Sequence, residues 1–189
     1  MNTVIEPCCY SKQLSQNLEE AEKSGGVSHF FSFSDWSTDQ LVPWILSSTA
    51  GCEAVLCLVQ IDLRTIYMLS ELLRRTYHDR TEGEEKYVVK HLDIVTQTPR
   101  EEPEKQRQEM RAQLGRFIDE GRVAVCEDNI GFRCIAASNG KRHLVLQGSI
   151  NQFHMEPCCQ MYTLTTTRSA YEQAMEMLGS KSRTKKVKL

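Results

Sequence analysis

The sequence predicts an α/β domain in which a mixed β-sheet is flanked by helices on both faces. Strand-like and helix-like stretches alternate as far as residue 120, which is typical of sheets built from β-α-β units. Residues 54–61 form an almost unbroken apolar run, the pattern of a strand that is covered on both faces. Short strand-like stretches separated by turn residues follow Gly121, so we expect hairpin-connected strands to complete the sheet.

The chain has 189 residues, which suits one domain with terminal tails. Hydrophobic residues make up 40% and charged residues 25%, which excludes a disordered or fibrous protein. The net charge of -2 excludes a positive field over the whole molecule. We predict an N-terminal extension over residues 1–26, the α/β domain over 27–178 and a disordered basic tail over 179–189.

The basic tail concentrates the positive charge of the chain. It carries five cations and no acid, so the other 178 residues sum to -2 - 5 = -7. Such a tail is either a solvated chain end or a contact for phosphates, nucleic acid or anionic surfaces, because clustered lysines release counterions when they bind.

The elements of the first half begin with a strand over residues 27–33, which are rich in aromatic residues. Ser37 and Gln40 form a capping box that predicts a helix start, and Gly51 ends this helix. After the buried strand, the spacing of apolar residues predicts a second helix. Its buried stripe consists of Ile66, Leu69, Leu72 and Leu73.

Asp62 and Arg64 lie between that buried strand and the helix. Aspartate is a favoured N-cap residue, so Asp62 is expected to cap the helix. Ligands of open α/β sheets bind beyond the carboxyl ends of the strands, so Arg64 is a candidate anion contact.

The second half predicts a strand over residues 87–95 and an amphipathic helix over 104–120 that stops at Gly121. Asn139-Gly140 is a strong signal for a two-residue hairpin. The remaining predicted elements are strands over 123–126, 132–137, 143–147 and 161–167 and a closing helix over 169–178.

The N-terminus lacks a secretory signal, and no apolar run approaches the ~20 residues that span a bilayer. We therefore expect a cytoplasmic protein with reduced cysteines. Residues 6–9 and 156–159 both read Glu-Pro-Cys-Cys, but adjacent cysteines do not have the spacing of zinc ligands. No phosphate loop or zinc motif is found, so we predict no metal and no cofactor.

Gly148-Ser149-Ile150-Asn151 follows the predicted strand 143–147, after the Asn139-Gly140 hairpin. In this order the sequence resembles one half of a protein of the phospholipase D-like superfamily over about residues 27–178. The family pairs a His-x-Lys motif on one strand with Gly-Ser-x-Asn at the end of the next. The resemblance implies a phospholipase D-like half-domain with both motifs at one end of the sheet.

The first family motif is degenerate, because Gly131-Phe132-Arg133 stands where His-x-Lys is expected. The family's histidine attacks phosphorus, and glycine has no side chain that could do so. Arginine still binds phosphate through its planar set of donors. The resemblance therefore predicts a phosphate-binding site at Arg133, Ser149 and Asn151, with Arg64 as a further contact.

Three residues are weaker candidates for catalysis. His143 lies on the strand before the Gly-Ser-x-Asn motif, and His154 follows the motif. Either could act as a relocated nucleophile, and in several relatives a carboxylate placed like Glu156 orients the catalytic histidine. The packed or solvated histidine remains the default interpretation.

Only one motif is present in the chain, and active relatives with one motif must dimerise. The resemblance therefore implies a twofold homodimer. We expect an inactive domain that binds a phosphate-bearing partner, with nucleic acid as one such partner, or that serves as an assembly module. The alternative is an active phosphodiesterase or nuclease with a displaced catalytic histidine.

Overall fold

A seven-stranded mixed sheet organises the computed structural model, which describes residues 9–32, 38–97, 103–128, 132–148 and 160–179. The strands in chain order are β1 (Val27–Ser32), β2 (Cys52–Leu58), β3 (Thr76–Asp79), β4 (Glu84–Tyr87), β5 (Val89–Thr96), β6 (Val123–Glu127), β7 (Cys134–Ser138), β8 (His143–Gly148) and β9 (Gln160–Thr165). The helices are α1 (Cys9–Lys23), α2 (Thr38–Ser48), α3 (Leu63–Arg74), α4 (Pro103–Asp119) and α5 (Arg168–Ala174), which continues as a π-helical turn (Met175–Gly179).

The order of strands in the large sheet is β1-β9-β8-β7-β2-β5-β6. Strands β2, β5 and β6 are parallel, and the other neighbours pair antiparallel. Strands β1, β2, β5, β6 and β8 therefore all point the same way. We call the end of the sheet where these five strands finish the carboxyl end, and the opposite end the amino end.

Helices cover both faces of the sheet, which confirms the predicted fold class. The larger core combines side chains of α1 to α4 with one face of the sheet. The smaller core lies on the second face, beneath α5 and the π-helical turn, and includes Val55, Val95 and Val145. The continuous apolar sequence of β2 is explained by this arrangement, because its side chains alternate between the two cores.

The N-terminal helix α1 packs on the sheet beside β1. Its buried side chains are Leu14, Leu18 and Ala21, which recur at helical spacing along one face. Leu14 and Leu18 belong to the larger core. The helical part of the predicted N-terminal extension therefore packs as part of the same body.

The start of α3 and the end of α4 confirm two signals in the sequence. Asp62 caps α3, because its Oδ1 accepts a hydrogen bond from the backbone N–H of Thr65 at 2.7 Å. Gly121 ends α4 with a φ of +72°, a conformation that glycine adopts without steric cost.

The hairpin between β7 and β8 forms, but its centre differs from the predicted Asn139-Gly140. Ser138 pairs with His143, and the N–H of Asn139 donates to the carbonyl of Arg142 at 3.2 Å, so Gly140 and Lys141 occupy the tip. Gly140 has a φ of +85°. The Asn139 side chain instead accepts hydrogen bonds from the N–H groups of Lys141 and Arg142 at 3.1 and 2.9 Å.

Candidate functional site

Arg133 lies at the carboxyl end of the sheet, directly before β7. The next residue, Cys134, pairs with Cys57 of β2 and with Gln147 of β8. Arg133 is therefore level with Leu58 and Gly148, the last residues of those two strands. Its side chain is partly buried. The hairpin thus places Arg133 beside the glycine that begins the Gly-Ser-x-Asn sequence.

Arg64 lies in the first turn of α3, just beyond the carboxyl end of β2. Its Nε is 2.5 Å from Oδ2 of Asp39 in the first turn of α2. The Arg64 side chain is 69% exposed and that of Asp39 is 19% exposed. A guanidinium group has five N–H donors, so the bond at Nε leaves donors on the two terminal nitrogens for a ligand. Arg64 and Arg133 therefore lie at the same end of the sheet.

Arg107 of α4 is a third arginine at this end, and it was not predicted from the sequence. Its Nε and Nη2 donate to the two carboxylate oxygens of Glu127 at 3.0 and 2.7 Å. Its Nη1 donates to Glu104 at 2.7 Å. The hydrogen bonds and charge of Glu127, followed by those of Glu104, raise the pKa of Arg107. Arg107 therefore fixes α4 to the end of β6, and its charge is already neutralised.

No local pattern could have revealed the bond between Arg107 and Glu127. Arg107 is one of several charged residues on an amphipathic helix, and Glu127 follows 20 residues later. Their meeting depends on the packing of α4 over β6, which is a property of the tertiary structure.

Two aromatic side chains are exposed near the arginines. Phe132 directly precedes Arg133 and is 38% exposed, while its carbonyl accepts a hydrogen bond from the thiol of Cys57 at 3.3 Å. Tyr67 lies one turn after Arg64 on α3 and is 49% exposed. Exposed aromatic rings beside cationic groups are typical of surfaces that stack nucleic-acid bases.

Several predicted site residues lie outside the described part of the chain. They are Gly131, Ser149, Asn151, His154 and Glu156, together with residues 6–8 and 156–159 of the two Glu-Pro-Cys-Cys segments. Their roles therefore stay predictions from the sequence.

His143 lies at the amino end of the sheet, at the opposite end of β8 from Gly148. Its Nδ1 is 2.7 Å from Oγ of Ser138, and its ring lies against that of Tyr171 with centroids 5.7 Å apart. A strand rises about 3.3 Å per residue, so the length of β8 places His143 roughly 15 Å or more from Gly148. The structure therefore does not bring His143 to the site at Arg133.

Four described cysteines lie in the interior of the protein. Cys52, Cys57, Cys126 and Cys134 are free and buried. Burial raises the pKa of Cys134 to about 12 and that of Cys52 to about 11. These two thiols stay protonated at neutral pH and are poor nucleophiles.

Within the described ranges, no group of three or more His, Cys, Asp and Glu side chains is arranged to hold a metal ion. Among the helices that the structure describes, none has the length and apolar character of a membrane span.

Comparison with known proteins gives similarities in structure only. The sequence matches no protein-family model and no curated protein. The structure is similar to that of TrmBL2, an archaeal chromatin protein, with a TM-score of 0.51 and 10% sequence identity. The match covers 94% of this chain and 66% of TrmBL2, so this chain spans just under two thirds of that protein.

A second similar structure is that of Nuc from Salmonella typhimurium, a phospholipase D family member. Its TM-score is 0.48 and its sequence identity 14%, over 85% of this chain and 95% of Nuc. At these identities, the match to TrmBL2 reports a shared fold and nothing about the residues of a site.

Proposed function

We propose that this chain is a phospholipase D-like domain that has lost its catalytic histidine and binds a phosphate-bearing ligand at the carboxyl end of the sheet. The observation that carries the proposal is the register of the β7–β8 hairpin. It sets Arg133 level with Gly148, so that an arginine stands beside the start of Gly-Ser-x-Asn. In the proposed site, Ser149 and Asn151 supply hydroxyl and amide groups, and Arg64 supplies a second guanidinium group.

Nucleic acid is the favoured ligand within this proposal. The exposed rings of Phe132 and Tyr67 would have no role with an isolated phosphate, whereas bases stack on such rings. The basic residues 180–189 add five cations to the binding surface. The similar protein TrmBL2 is described as a chromatin protein with a novel mode of DNA binding, and we extend the nucleic-acid class to this chain.

The proposed domain acts without phosphodiester chemistry. Gly131 stands at the position of the family's nucleophile and has no side chain to attack phosphorus. His143 cannot replace it from the amino end of the sheet. We further propose that the chain forms a twofold homodimer, in which two such sites lie together and the domain can also serve in assembly.

Binding is tested by fluorescence anisotropy with a labelled single-stranded oligonucleotide at about 50 and 200 mM salt. We expect Arg133→Gln to weaken binding at least about tenfold, because one charge-assisted phosphate contact is worth about 1.5–3 kcal/mol. The matched control is Arg116→Gln, since Arg116 is exposed near the C-terminal end of α4 and already paired with Glu120. Equal affinities for both variants would contradict the proposal.

A chain that ends at residue 179 separates the contribution of the folded site from that of the basic residues 180–189. If the folded site binds, the shortened chain keeps the Arg133 dependence while its affinity and salt dependence fall. The active alternative is tested with a phosphodiester substrate. Turnover that disappears in His154→Ala would replace the binding proposal with a catalytic one.

A further inference from the structure

A second concave site lies at the amino end of the sheet, far from the arginines described above. It is a cleft of about 410 Å³ between α5, the β7–β8 hairpin and the first residues of β2 and β5. Clefts of 300–1,000 Å³ are the usual size of small-molecule sites. The side chains that matter for its chemistry are those of Glu53, Lys90, Ser138, His143 and Tyr171.

Lys90 is directed into the cleft by an irregularity in the sheet. In the parallel pairing of β2 and β5, Cys52 is opposite Val89 and Glu53 is opposite His91, so Lys90 is an extra residue without a partner. Such a bulge is rare between parallel strands, and bulges commonly redirect a side chain beside a functional site. Lys90 is exposed and lines the cleft.

The cleft contains one carboxylate and one ammonium group that are not neutralised by each other. Within the described residues, neither Glu53 nor Lys90 forms a salt bridge, although the two lie in adjacent strands. The other two charges of the lining are already paired, because Arg168 Nε donates to Glu172 at 2.7 Å. The cleft therefore offers a separate positive and negative group on two adjacent strands.

The imidazole of His143, the first residue of β8, is held in place by contacts with Ser138 and Tyr171. Ser138 Oγ accepts the N–H of Gly140 at 3.0 Å and lies 2.7 Å from His143 Nδ1. When the Ser138 hydroxyl donates to Nδ1, the imidazole proton is on Nε2, which becomes a donor for a ligand. The Tyr171 hydroxyl donates a hydrogen bond to the carbonyl of Glu53 at 3.3 Å, which joins α5 to β2 at the side of the cleft.

We propose that this cleft binds a small zwitterion, a molecule that carries both a carboxylate and an ammonium group, as free α-amino acids do. Lys90 and His143 bind the carboxylate, and Glu53 binds the ammonium group. The ring of Tyr171 contacts the apolar part of the ligand. This site is separate from the proposed phosphate site, so each can fail without the other.

The experiment is calorimetric titration of the full chain with the free α-amino acids. The strongest ligand is then compared with its N-acetyl and its amide derivative, which lack the ammonium and the carboxylate charge respectively. We expect each derivative to bind at least about tenfold more weakly than the free amino acid, a difference of 1.4 kcal/mol.

Two variants test which protein group binds the ammonium and which binds the carboxylate of the ligand. Glu53→Gln should remove the preference for the free amino acid over its N-acetyl derivative, and Lys90→Met the preference over the amide. The controls are Glu19→Gln and Lys23→Met. Each breaks an exposed ion pair within α1, which lies on the other face of the sheet. Unchanged urea midpoints show that the variants are folded.

The proposal is overturned if no free amino acid binds with a Kd below about 10 mM. It is also overturned if the derivatives bind as well as the free ligand, or if the cleft variants behave like the controls on α1.

Discussion

The protonation of His91 is coupled to folding through two hydrogen bonds. Its Nδ1 is 3.1 Å from the carbonyl of Gly121, and its Nε2 is 3.2 Å from Oδ1 of Asp93. A carbonyl and a carboxylate only accept hydrogen bonds, so both nitrogens carry a proton in this arrangement. The hydrogen bond to Asp93, whose side chain is fully buried, is the main cause that raises the pKa of His91.

The pair predicts that the protein loses stability as the pH rises. The folded state raises the pKa of His91 above its ordinary value of 6.5, so the folded chain binds the proton more tightly. The stabilisation is fully present below that ordinary value and is lost as the pH passes through the raised pKa. Urea midpoints measured at increasing pH from 6.5 upward should therefore fall.

The variant His91→Gln provides the control for this effect. It should be less stable than the natural chain at pH 6.5, and its urea midpoint should change less over the same pH range. Identical pH dependence in the two proteins would show that other groups are responsible.

Elements whose signal is local were predictable from the sequence. The apolar run of β2 predicted that strand. The cap at Asp62 and the spacing of the apolar residues predicted α3. The small hairpin of β3 and β4 was not predicted, because Thr76–Asp79 and Glu84–Tyr87 are mostly polar and each contains a single apolar residue, a tyrosine. Its strands are linked by contacts such as the bond between Lys86 and Asp79 at 2.9 Å.

The end of the closing helix could not be predicted from the sequence, for a different reason. The predicted helix over residues 169–178 changes into a π-helical turn at Met175. The turn packs tightly on β5, since a Cβ added to Gly179 would lie 3.1 Å from Oδ2 of Asp93. This contact joins residues that are far apart in sequence, so no pattern within the helix could have indicated it.

Gly148, the last residue of β8, is predicted to tolerate no side chain. Its φ is +150°, and a Cβ there would lie 2.3 Å from the carbonyl oxygen of Met161. We expect Gly148→Ala to cost about 2–4 kcal/mol in the free energy of unfolding, since both backbone strain and displacement of β9 contribute. Urea denaturation measures the cost.

The matched control is Gly83→Ala in the turn between β3 and β4. Gly83 has a φ of +72° but nothing lies within 4 Å of its added Cβ, so only the strain of about 1 kcal/mol applies. If the two substitutions lower the free energy of unfolding equally, the contact between the added Cβ and the Met161 carbonyl has no energetic cost, which contradicts the prediction.

At the scale of the whole molecule, the sequence predicted the fold class, and Arg64 and Arg133 both lie at the carboxyl end of the sheet. It did not predict the ion pairs that occupy Arg64 and Arg107, because Asp39 and Glu127 approach only through tertiary packing. It also did not predict the cleft at Lys90, since a bulge between parallel strands has no signature in one strand alone.

Within the described residues, helices cover the second face of the sheet unevenly, and this predicts self-association. On the second face, α5 and the π-helical turn lie over the middle strands, while Val27 of β1 and Met161 of β9 remain 39% and 57% exposed. We expect light scattering to give about twice the 21.7 kDa of one chain. Met161→Lys should favour the monomer, whereas a monomeric natural chain would contradict the prediction.

The position of β1 also has a consequence for how the chain is made. In the described structure, β1 pairs with β9 alone, and partners such as His29 and Thr163 are 134 residues apart. Ribosomes add about 5–20 residues per second, so the first strand waits roughly 7–27 s for its neighbour to emerge. During synthesis its aromatic residues Phe30 and Phe31 have no sheet to join, and we expect nascent chains to engage chaperones through this segment.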